Sequence, residues 1–266
     1  MTIKPSNSFN DGKILKYSPS KKFKSYLWSN KDFSIEELYS QVIDLNSARD
    51  MINLDFRIGF EIYNSNKIEG NKLDRIETKM ILEDKVIPED SSYRDVVECI
   101  NLGTTIEDYR VLDNIDLNII LDIHRSITNG LLSKSEKGKI RTGSVFITNS
   151  THVPPSSDVV ELKLSKAIER FNSSNKTIID VFILKLDLVT IHPFTDGNGR
   201  TSRVIMNGLL EGLGFPRIII TASDKKFYYD ALENTNSRFD KNYWIKYCLI
   251  LMKYNIEFLY STETMI

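Results

Sequence analysis

The chain has 266 residues and a formal net charge of −1, with 41% hydrophobic and 27% charged residues. That length fits one large domain, or a domain with an extension, and the proportions are typical of a globular protein. A nearly neutral chain offers no overall basic field for nucleic acid, so we expect no nucleic-acid partner. The longest apolar runs contain Asp or Lys and are too short to span a bilayer, which predicts no membrane partner.

Two features bear on the cellular compartment. Residues 1–17 lack the apolar core of a secretory signal, so we expect none. Cys99 and Cys248 both lie in apolar helical patterns, which indicates buried thiols. A reducing cytoplasm is the simplest setting for such a chain, and we expect a cytoplasmic protein.

Residues 1–54 are predicted to form an N-terminal arm followed by a helix. The first 33 residues are polar, with aromatic Tyr26 and Trp28, which favours a loosely packed arm that docks by its aromatics. From Ser34 to Leu54, apolar residues recur at helical spacing behind a cap-forming serine. We therefore expect the first helix to begin near Ser34.

The next segment gives two conflicting signals. Phe56, Ile58, Phe60 and Ile62 alternate as in a strand, and the pattern alone leaves the choice open. The continuation as far as Gly70 suggests instead a helix that ends at a glycine cap.

Helical periodicity then continues along most of the chain. The predicted helices cover Leu73–Leu82, Ser91–Leu112, Asp116–Leu132, Val159–Phe171, Ile178–Val189, Val204–Leu213, Ser223–Leu232 and Tyr243–Tyr260. His124 lies inside the third of these with no carboxylate or cysteine pattern around it, so a partly buried structural histidine is favoured. The fifth is apolar all round, which indicates a central buried helix.

Residues 133–155 differ in character from the helical segments. Lys, Gly, Ser and Thr dominate there, around a β-prone island from Ser144 to Thr148. Because this is the strongest strand signal in the chain, we predict a small β-hairpin near 141–155. His152, which precedes Val153-Pro154-Pro155, is expected to be a loop residue and not a catalyst.

Residues 191–203, IHPFTDGNGRTSR, concentrate groups that can do chemistry. Pro193 disfavours the α-helical region at His192, so the preceding helix should end there. Gly197 and Gly199 permit positive φ, and backbone N–H groups in such a turn can converge on one anion. Since a helix follows, its N-terminal dipole adds to the attraction, and the loop is predicted to cradle phosphate.

The side chains of this stretch suggest the reaction. Asp196 beside bound phosphate suggests Mg²⁺, and His192 at the rim suggests a general base with a pKa near neutrality. Arg200 and Arg203 lie three residues apart on one face of the following helix, where both could reach the same anion. A structural Gly-Asn-Gly turn with incidental charges is disfavoured, because a His, an Asp and two Arg occur together.

At every fixed position, residues 192–203 match the HPFx(D/E)GNGRxxR motif, and the chain resembles the Fic (Fido) family from about Asp55 to about Tyr247. The resemblance implies an all-α fold, a Fic helical bundle with a small β-hairpin flap. It also implies a protein adenylyltransferase that moves AMP from ATP to a Tyr, Thr or Ser hydroxyl of a target protein. The Fic core would then cover residues 55–247, followed by a C-terminal helix end at 248–266.

A second resemblance concerns residues 65–70, SNKIEG, which are similar to the (S/T)xxxE(G/N) inhibitory motif of Fic proteins. In a helix, Ser65 and Glu69 are four residues apart and share a face. The resemblance implies an N-terminal inhibitory helix near 56–69, in which Glu69 meets Arg203 and keeps the resting enzyme nearly inactive. Ser65 would support Glu69 through a hydrogen bond.

The family resemblance also implies the remaining site residues. His192 is the implied catalytic base, Asp196 the implied ligand of Mg²⁺, and Phe194 the residue that anchors the loop in the core. The flap is implied to register the target hydroxyl against His192 by backbone pairing. The implied nucleotide-binding residues are Val145, Phe146, Ile147, Thr148, Asp196, Gly197, Asn198, Gly199, Arg200, Thr201, Ser202, Arg203, Tyr228, Tyr229 and Asn236.

Alternative functions stay open at this stage. Glu69 could orient water for the removal of AMP from a modified protein, and both activities could share one site. Other Fic proteins transfer phosphate, UMP or phosphocholine, but the Gly-Asn-Gly-Arg stretch favours AMP over the kinase branch. A regulatory nucleotide-binding module without turnover is disfavoured by the intact His192. The target protein is expected to bind at the flap, and similarity to dimeric relatives suggests a homodimer.

Overall fold

The computed structural model describes residues 19–48, 55–147 and 150–259. Thr148, most of the predicted N-terminal arm and the last residues of the predicted C-terminal helix lie outside these ranges. Within them the chain folds as eleven α-helices: α1 (Pro19–Asn30), α2 (Ile35–Ala48), α3 (Asp55–Ile68), α4 (Arg75–Lys79), α5 (Tyr93–Asp108), α6 (Leu117–Ile127), α7 (Ser157–Asn172), α8 (Ile178–Ile191), α9 (Asn198–Gly212), α10 (Lys225–Arg238) and α11 (Asn242–Tyr254). Short helical turns lie at Met80–Asp84, Ala222–Asp224 and Asn255–Leu259.

The predicted all-α class is confirmed, whereas the β-hairpin is not. Among the described residues no strand is present, and residues 144–147 carry no β-ladder. The β-prone composition of this segment is not enough by itself, because an isolated two-stranded hairpin is marginal in water and needs a partner surface.

Helix α8 is the centre of the bundle and packs against α7, α9 and α11. Its start is fixed by a capping box, in which Thr177 and Asp180 each accept from the other's backbone N–H. Its buried apolar side chains include Phe182 and Leu188, as the uniformly apolar sequence predicts. The exception is Lys185, which is buried beneath α10 and donates to the Tyr228 hydroxyl over 2.8 Å. Burial lowers the pKa of Lys185 to about 7.

The N-terminal arm is more structured than its polar sequence suggests. Residues 19–30 form helix α1, which the sequence analysis missed because basic residues hide its single apolar face. Phe23 is fully buried and packs edge-on against Tyr254 at 5.0 Å. Tyr26 docks as predicted and donates to Glu257 over 2.7 Å, but Trp28 is 57% exposed.

Helix α3 settles the ambiguous strand-like pattern in favour of a helix that ends at Gly70, which has φ +97°. A buried polar network fixes this helix to the core. Glu61 forms an ion pair with Arg217 at 2.7 Å and accepts from Asn207 at 2.8 Å. Burial opposes the charge of Arg217, but Glu61 more than offsets it and raises the pKa of that guanidinium. Because α3 is held in this way, the residues at its C-terminal end have a defined position.

Two further expectations concern the helices and the thiols. Within the ranges that the structure describes, no helix is both long and apolar enough to cross a membrane. Cys99 and Cys248 are free and buried, as their helical patterns predict.

Candidate active site

The loop between α8 and α9 begins where the sequence predicts. His192 ends α8 in the left-handed region, with φ 52° and ψ 62°, and its N–H donates to the Leu188 carbonyl over 3.1 Å. A residue before proline avoids the right-handed helical region, and here this restriction turns the chain out of the helix. The imidazole of His192 is thereby placed at the end of α8 instead of along its side.

The loop is closed by a side chain and not only by backbone geometry. Asn198 accepts from the Phe194 N–H and donates to the Phe194 carbonyl, both over 2.9 Å. Phe194 is 1% exposed, which confirms its predicted role as an anchor in the core. Gly197 has φ +80°, a conformation that other residues adopt only at a cost. The side-chain amide of Asn198 is therefore used to shape the loop, and only the backbone N–H of this residue is left to bind an anion.

His124 supports the loop from beneath, a connection that the sequence analysis missed. Its ring stacks on Phe194 with centroids 3.7 Å apart, and the residue is fully buried. The Gly138 N–H donates to Nδ1 over 3.0 Å, so Nε2 carries the proton and donates to the Asp196 carbonyl over 3.0 Å. Burial lowers the pKa of His124 to about 4, which keeps this neutral form.

Arg141 is a second support that no local pattern revealed. Its Nε donates to the His192 carbonyl over 2.8 Å, and its Nη atoms donate to Gly143 at 2.8 Å and Pro155 at 2.5 Å. The Ile191 carbonyl also accepts over 3.4 Å, so two carbonyls from the end of α8 and two from the flap region converge on one buried guanidinium. A cation at a helix C-terminus also complements the helix dipole. Arg141 therefore fixes His192 relative to both ends of the flap segment.

The imidazole of His192 is set up as a base. Its Nδ1 lies 3.3 Å from the Val189 carbonyl, and a carbonyl can only accept, so the proton sits on Nδ1 and Nε2 keeps its lone pair. Burial lowers the pKa of His192 below its ordinary value, with the Val189 carbonyl partly opposing this effect. The neutral, proton-accepting form is therefore the dominant one at neutral pH.

The cradle predicted from the sequence lies at the N-terminus of α9, and a carboxylate lies against it. The first N–H groups of a helix have no carbonyl acceptor within it and attract anions. Glu69 lies directly against this end, since a methyl group on Gly199 would overlap Glu69 Oε1. The glycine is thus needed for an anion to approach the backbone at this point.

Arg203 joins the cradle to the inhibitory segment. Its Nη2 contacts Glu69 Oε1 at 2.7 Å, and its Nε donates to the Ser65 hydroxyl over 2.8 Å. The contact between residues 134 positions apart is therefore present as expected, although Ser65 binds the arginine and not Glu69 itself. Burial opposes the charge of Arg203, but Glu69 raises the pKa of the guanidinium. Its Nη1 is buried and has no hydrogen-bond partner in the described part of the chain.

Arg200 contacts other carboxylates than Arg203 does, although both lie on α9. It is buried with Nη1 3.1 Å from Glu98 and Nη2 3.6 Å from Asp196. Neighbouring helices flank α9 on both sides, so side chains three residues apart reach different partners. Asp196 in turn contacts Arg94 at 2.8 Å, a residue that the sequence analysis did not single out.

Asp196 is the predicted ligand of Mg²⁺, and its charge and surroundings are compatible with this role. Burial alone would raise its pKa, but Arg200, the Gly197 N–H and Arg94 together hold it below the ordinary value, so it is ionised. No group of three or more His, Cys, Asp or Glu side chains lies together among the described residues. One carboxylate fits Mg²⁺, which usually shares its shell between one or two carboxylates, phosphates and water.

The predicted nucleotide-binding residues differ in exposure. Tyr229 is 45% exposed, whereas Tyr228 is 3% exposed. The two rings have centroids 5.1 Å apart, so Tyr228 packs against Tyr229 and supports it from the interior. Thr201 and Ser202 are also buried, and Ser202 donates to the Gly199 carbonyl over 2.9 Å.

The flap segment is held at one point by α10. Glu233 accepts from the Ser150 hydroxyl over 3.0 Å and from the Thr151 hydroxyl. Tyr229, Glu233 and Asn236 lie at helical spacing on one face of α10, so the flap end and the predicted adenosine side meet along that face. Of the predicted flap residues, Phe146 is 84% exposed, and Val145 and Ile147 are half-buried. The sequence analysis missed Glu233.

Comparison with known proteins decides the family. Residues 114–210, from just before α6 into α9, match the sequence profile of the Fic/DOC family. Protein adenylyltransferase Fic of Nematostella vectensis is 33% identical over 184 residues, which cover 66% of this chain and 42% of that protein. The chain belongs to the Fic/DOC family. It spans about two fifths of the length of the curated Fic relatives that it matches.

Solved structures show the same Fic fold. Fic-1 of C. elegans, amino acids 134–508, aligns with a TM-score of 0.74 at 23% identity and covers 93% of this chain and 77% of that one. IbpAFic2 in complex with adenylylated Cdc42 aligns with a TM-score of 0.53 at 13% identity, covering 88% and 75% of the two chains. Helix α3, which Glu69 directly follows, lies outside the residues matched to the family profile but inside this bundle.

Proposed function

We propose that this Fic protein transfers AMP from ATP to a hydroxyl side chain of a target protein. The observation that carries the proposal is the unprotonated Nε2 of His192 beside an anion cradle at the start of α9. The adenylyltransferase names of its relatives support the reaction, and the Cdc42 complex of a structural neighbour supports a protein target. The free, buried thiols fit a cytoplasmic setting.

Phosphate binding is assigned to the start of α9. The N–H groups of Asn198 and Gly199 have no acceptor within the helix and would face the phosphates. Arg203, with its unpartnered Nη1, supplies a charged donor for the far end of the triphosphate. Asp196 would hold Mg²⁺, which when bound would neutralise phosphate charge. The hydrogen bonds between the Asn198 side chain and the Phe194 backbone fix the loop, so the backbone donors are oriented before the nucleotide arrives.

His192 performs the proton transfer. The target hydroxyl oxygen attacks the α-phosphorus of ATP while its proton moves to His192 Nε2. The bond between the α-phosphorus and the bridging oxygen breaks, and pyrophosphate leaves. The hydrogen bond from Nδ1 to Val189 holds the imidazole in the accepting tautomer, and Arg141 keeps the backbone of His192 in place.

We further propose that the resting protein is autoinhibited by Glu69. Its carboxylate lies against Gly199 and pairs with Arg203, where a phosphate of correctly bound ATP would lie. Two anions do not share one arginine and one helix end without strong repulsion. ATP can then bind only with its phosphates displaced from the in-line position. Loss of Glu69 would free both groups.

A second candidate activity is the removal of AMP from a modified protein. The Glu69 side chain is 30% exposed and reaches the cradle, so it could accept a proton from water directed at the α-phosphorus. The same carboxylate would then prevent AMP transfer and assist the hydrolytic removal of AMP.

A homodimer is proposed on a separate surface. Exposed apolar side chains follow one another between α4 and the start of α5, where Ile76 is 71%, Ile87 is 63% and Tyr93 is 72% exposed. Apolar exposure of this extent is typical of an interaction surface. Light scattering of the wild-type chain and of Tyr93→Asp would show whether this surface associates.

Labelled ATP tests the proposed reaction directly. Glu69→Gly protein would be incubated with ATP labelled either at the α-phosphate or at the γ-phosphate, followed by denaturing electrophoresis. Label from the α-phosphate only, lost in excess EDTA, is the expected result. Label from the γ-phosphate would indicate phosphate transfer instead. Release of AMP from a pre-labelled protein by the wild type, and not by Glu69→Gly, would favour the hydrolytic activity.

A further inference from the structure

A groove beside the proposed active site includes Asn236 of the predicted adenosine side, but the rest of its lining has no assigned role. It has a volume of about 620 Å³ and runs between α7, α8, the end of α10 and the last flap residues. Thr190 and Ile191 line it, and His192 follows them directly. His152, also in its wall, donates from Nε2 to the Thr190 carbonyl over 2.8 Å. The groove therefore begins where the catalytic base sits.

The charge of the groove is strongly one-sided. Four cations line it, namely Lys163, Lys166, Arg170 and Lys241, against one anion, Asp187. Asp187 forms an ion pair with Arg170 and lies 3.9 Å from Lys241, so these two cations offset its charge. Lys163 and Lys166 form no ion pair with any residue that the structure describes. The protein as a whole has a net charge of −1, so this excess is local.

The groove also has an apolar element that is costly to maintain. Phe239 lines it and is 95% exposed, with φ 54° at the C-terminal cap of α10. This cap position favours glycine, and the left-handed conformation is unfavourable for other residues. A phenylalanine that is both strained and exposed is better suited to contact a partner than to stabilise the fold. Val153, which is 69% exposed, adds apolar surface to the same groove.

We propose that this groove binds an acidic segment of the target protein that adjoins the modified hydroxyl. The inference rests on the proposed AMP transfer, since it places one target residue at His192 and its chain neighbours along the groove. Carboxylates of the segment would face Lys163, Lys166 and Lys241, and an apolar side chain would pack on Phe239. Complementary charge of this kind selects partners and speeds association. The groove would thus give a preference for acidic target sequences, which backbone pairing at the flap cannot distinguish.

The test compares two synthetic peptides that contain one threonine. One carries three Asp or Glu residues on each side of the threonine, and the other carries Asn and Gln at the same positions. Binding of each fluorescein-labelled peptide to Glu69→Gly protein is measured by anisotropy, and transfer is measured with α-labelled ATP. We expect tighter binding and a higher kcat/KM for the acidic peptide, both weakened by salt.

A charge-reversed variant locates the effect. Lys163→Glu/Lys166→Glu should weaken binding of the acidic peptide by about tenfold while the KM for ATP stays the same. Lys21→Glu/Lys24→Glu is the matched control, because these lysines have the same spacing on α1, which contributes nothing to the groove. Its binding should equal that of the parent. Phe239→Ala should weaken binding of the acidic peptide when its flank also carries a leucine.

The outcomes separate the groove from the reaction. Equal binding of acidic and neutral peptides, or a reversal variant that changes only the KM for ATP, would overturn the groove proposal. Acidic-peptide binding that Lys163→Glu/Lys166→Glu abolishes would support it even if no AMP were transferred. In that case the failure would belong to the proposed activity, because anisotropy does not depend on turnover.

Discussion

The motif loop at 192–203 and the flap at 141–155 face each other but are held very differently. Three contacts fix the motif loop. Asn198 hydrogen-bonds across it, His124 stacks on Phe194, and Arg141 donates to the carbonyl of His192 at its start. The flap is fixed near its two ends, by Arg141 and Glu233, while its described centre forms no strand and exposes Phe146.

This difference matches the two tasks proposed for the site. A base and an anion cradle act best when their geometry is set before the nucleotide arrives, because no reorganisation is then needed during reaction. A segment that must accept a target chain needs unpaired backbone groups and open apolar side chains. On the proposed function, the motif loop is therefore ordered before any ligand binds, whereas the flap would become ordered when the target protein binds.

Removing the base should have the largest effect on the fixed half. His192→Ala is expected to reduce AMP transfer by about 10²–10⁴-fold, because the proposed acceptor of the target hydroxyl's proton is lost. ATP binding, measured by calorimetry, should change little because other groups hold the phosphates. Unaltered transfer by pure His192→Ala protein would rule out the assigned role.

The second prediction concerns pH and the support beneath the loop. The pKa of His124 is about 4 in the folded protein against 6.5 for an ordinary histidine, so the unfolded chain binds its proton first. The stabilising contribution is complete above about pH 6.5 and is lost as the pH falls toward 4. It amounts to roughly 3 kcal/mol over that range. Urea unfolding at pH 7 and pH 5 would measure the first part of this loss, about 2 kcal/mol.

His124→Phe supplies the control for this pH dependence, because it preserves stacking on Phe194 but cannot titrate. Its stability should fall less between pH 7 and pH 5 than that of the wild type. Nitrogen-detected NMR on the three histidines should show His124 still neutral, with its proton on Nε2, at pH 5. Titration of that ring near 6.5 would contradict the buried, bonded arrangement.

A pair of glycines compares the two regions most simply. Gly197→Ala forces a methyl group to 3.1 Å from Thr128 Cγ2 in a backbone with φ +80°, and should cost about 1–2 kcal/mol of stability. In the flap, a methyl group on Gly143 would have no atom within 4 Å, so Gly143→Ala should leave the melting temperature nearly unchanged. Equal effects of the two changes would mean that the regions do not differ in rigidity.

Local rules in the sequence predicted the frame of the site well. Pro193 placed the end of α8 at His192, the glycine at 70 ended α3, and the apolar stretch at 178–189 proved to be the central helix. These features depend on restrictions within a few residues, which any chain obeys. The contact of Glu69 with Arg203 was expected only from the family resemblance, since no local rule joins residues 134 positions apart.

The supports of the site could not be predicted in this way. Arg141 binds carbonyl groups and not a carboxylate, so no charge pattern in the sequence marks it. His124 gains its importance from a stacked ring 70 residues later in the chain, which only the packed bundle reveals (194 − 124 = 70). Tyr228 and Tyr229 pack against each other on α10, and the sequence alone did not indicate which of the two is buried.

The central claim is that a finished cradle is blocked by the carboxylate of Glu69. Breaking a charge-assisted contact of about 1.5–3 kcal/mol should raise the competent population by roughly 10–100-fold. Glu69→Gln keeps the side-chain volume but removes the charge, and it should activate in part. Ser65→Ala removes one hydrogen bond to Arg203 and should activate less than Glu69→Gly.

The decisive measurement is auto-AMPylation of wild type, Ser65→Ala, Glu69→Gln and Glu69→Gly at one ATP concentration, followed with α-labelled ATP. The account predicts nearly inactive wild type and rates that rise in the order of the variants as written. A wild type that already matches Glu69→Gly would show that Glu69 does not block the cradle.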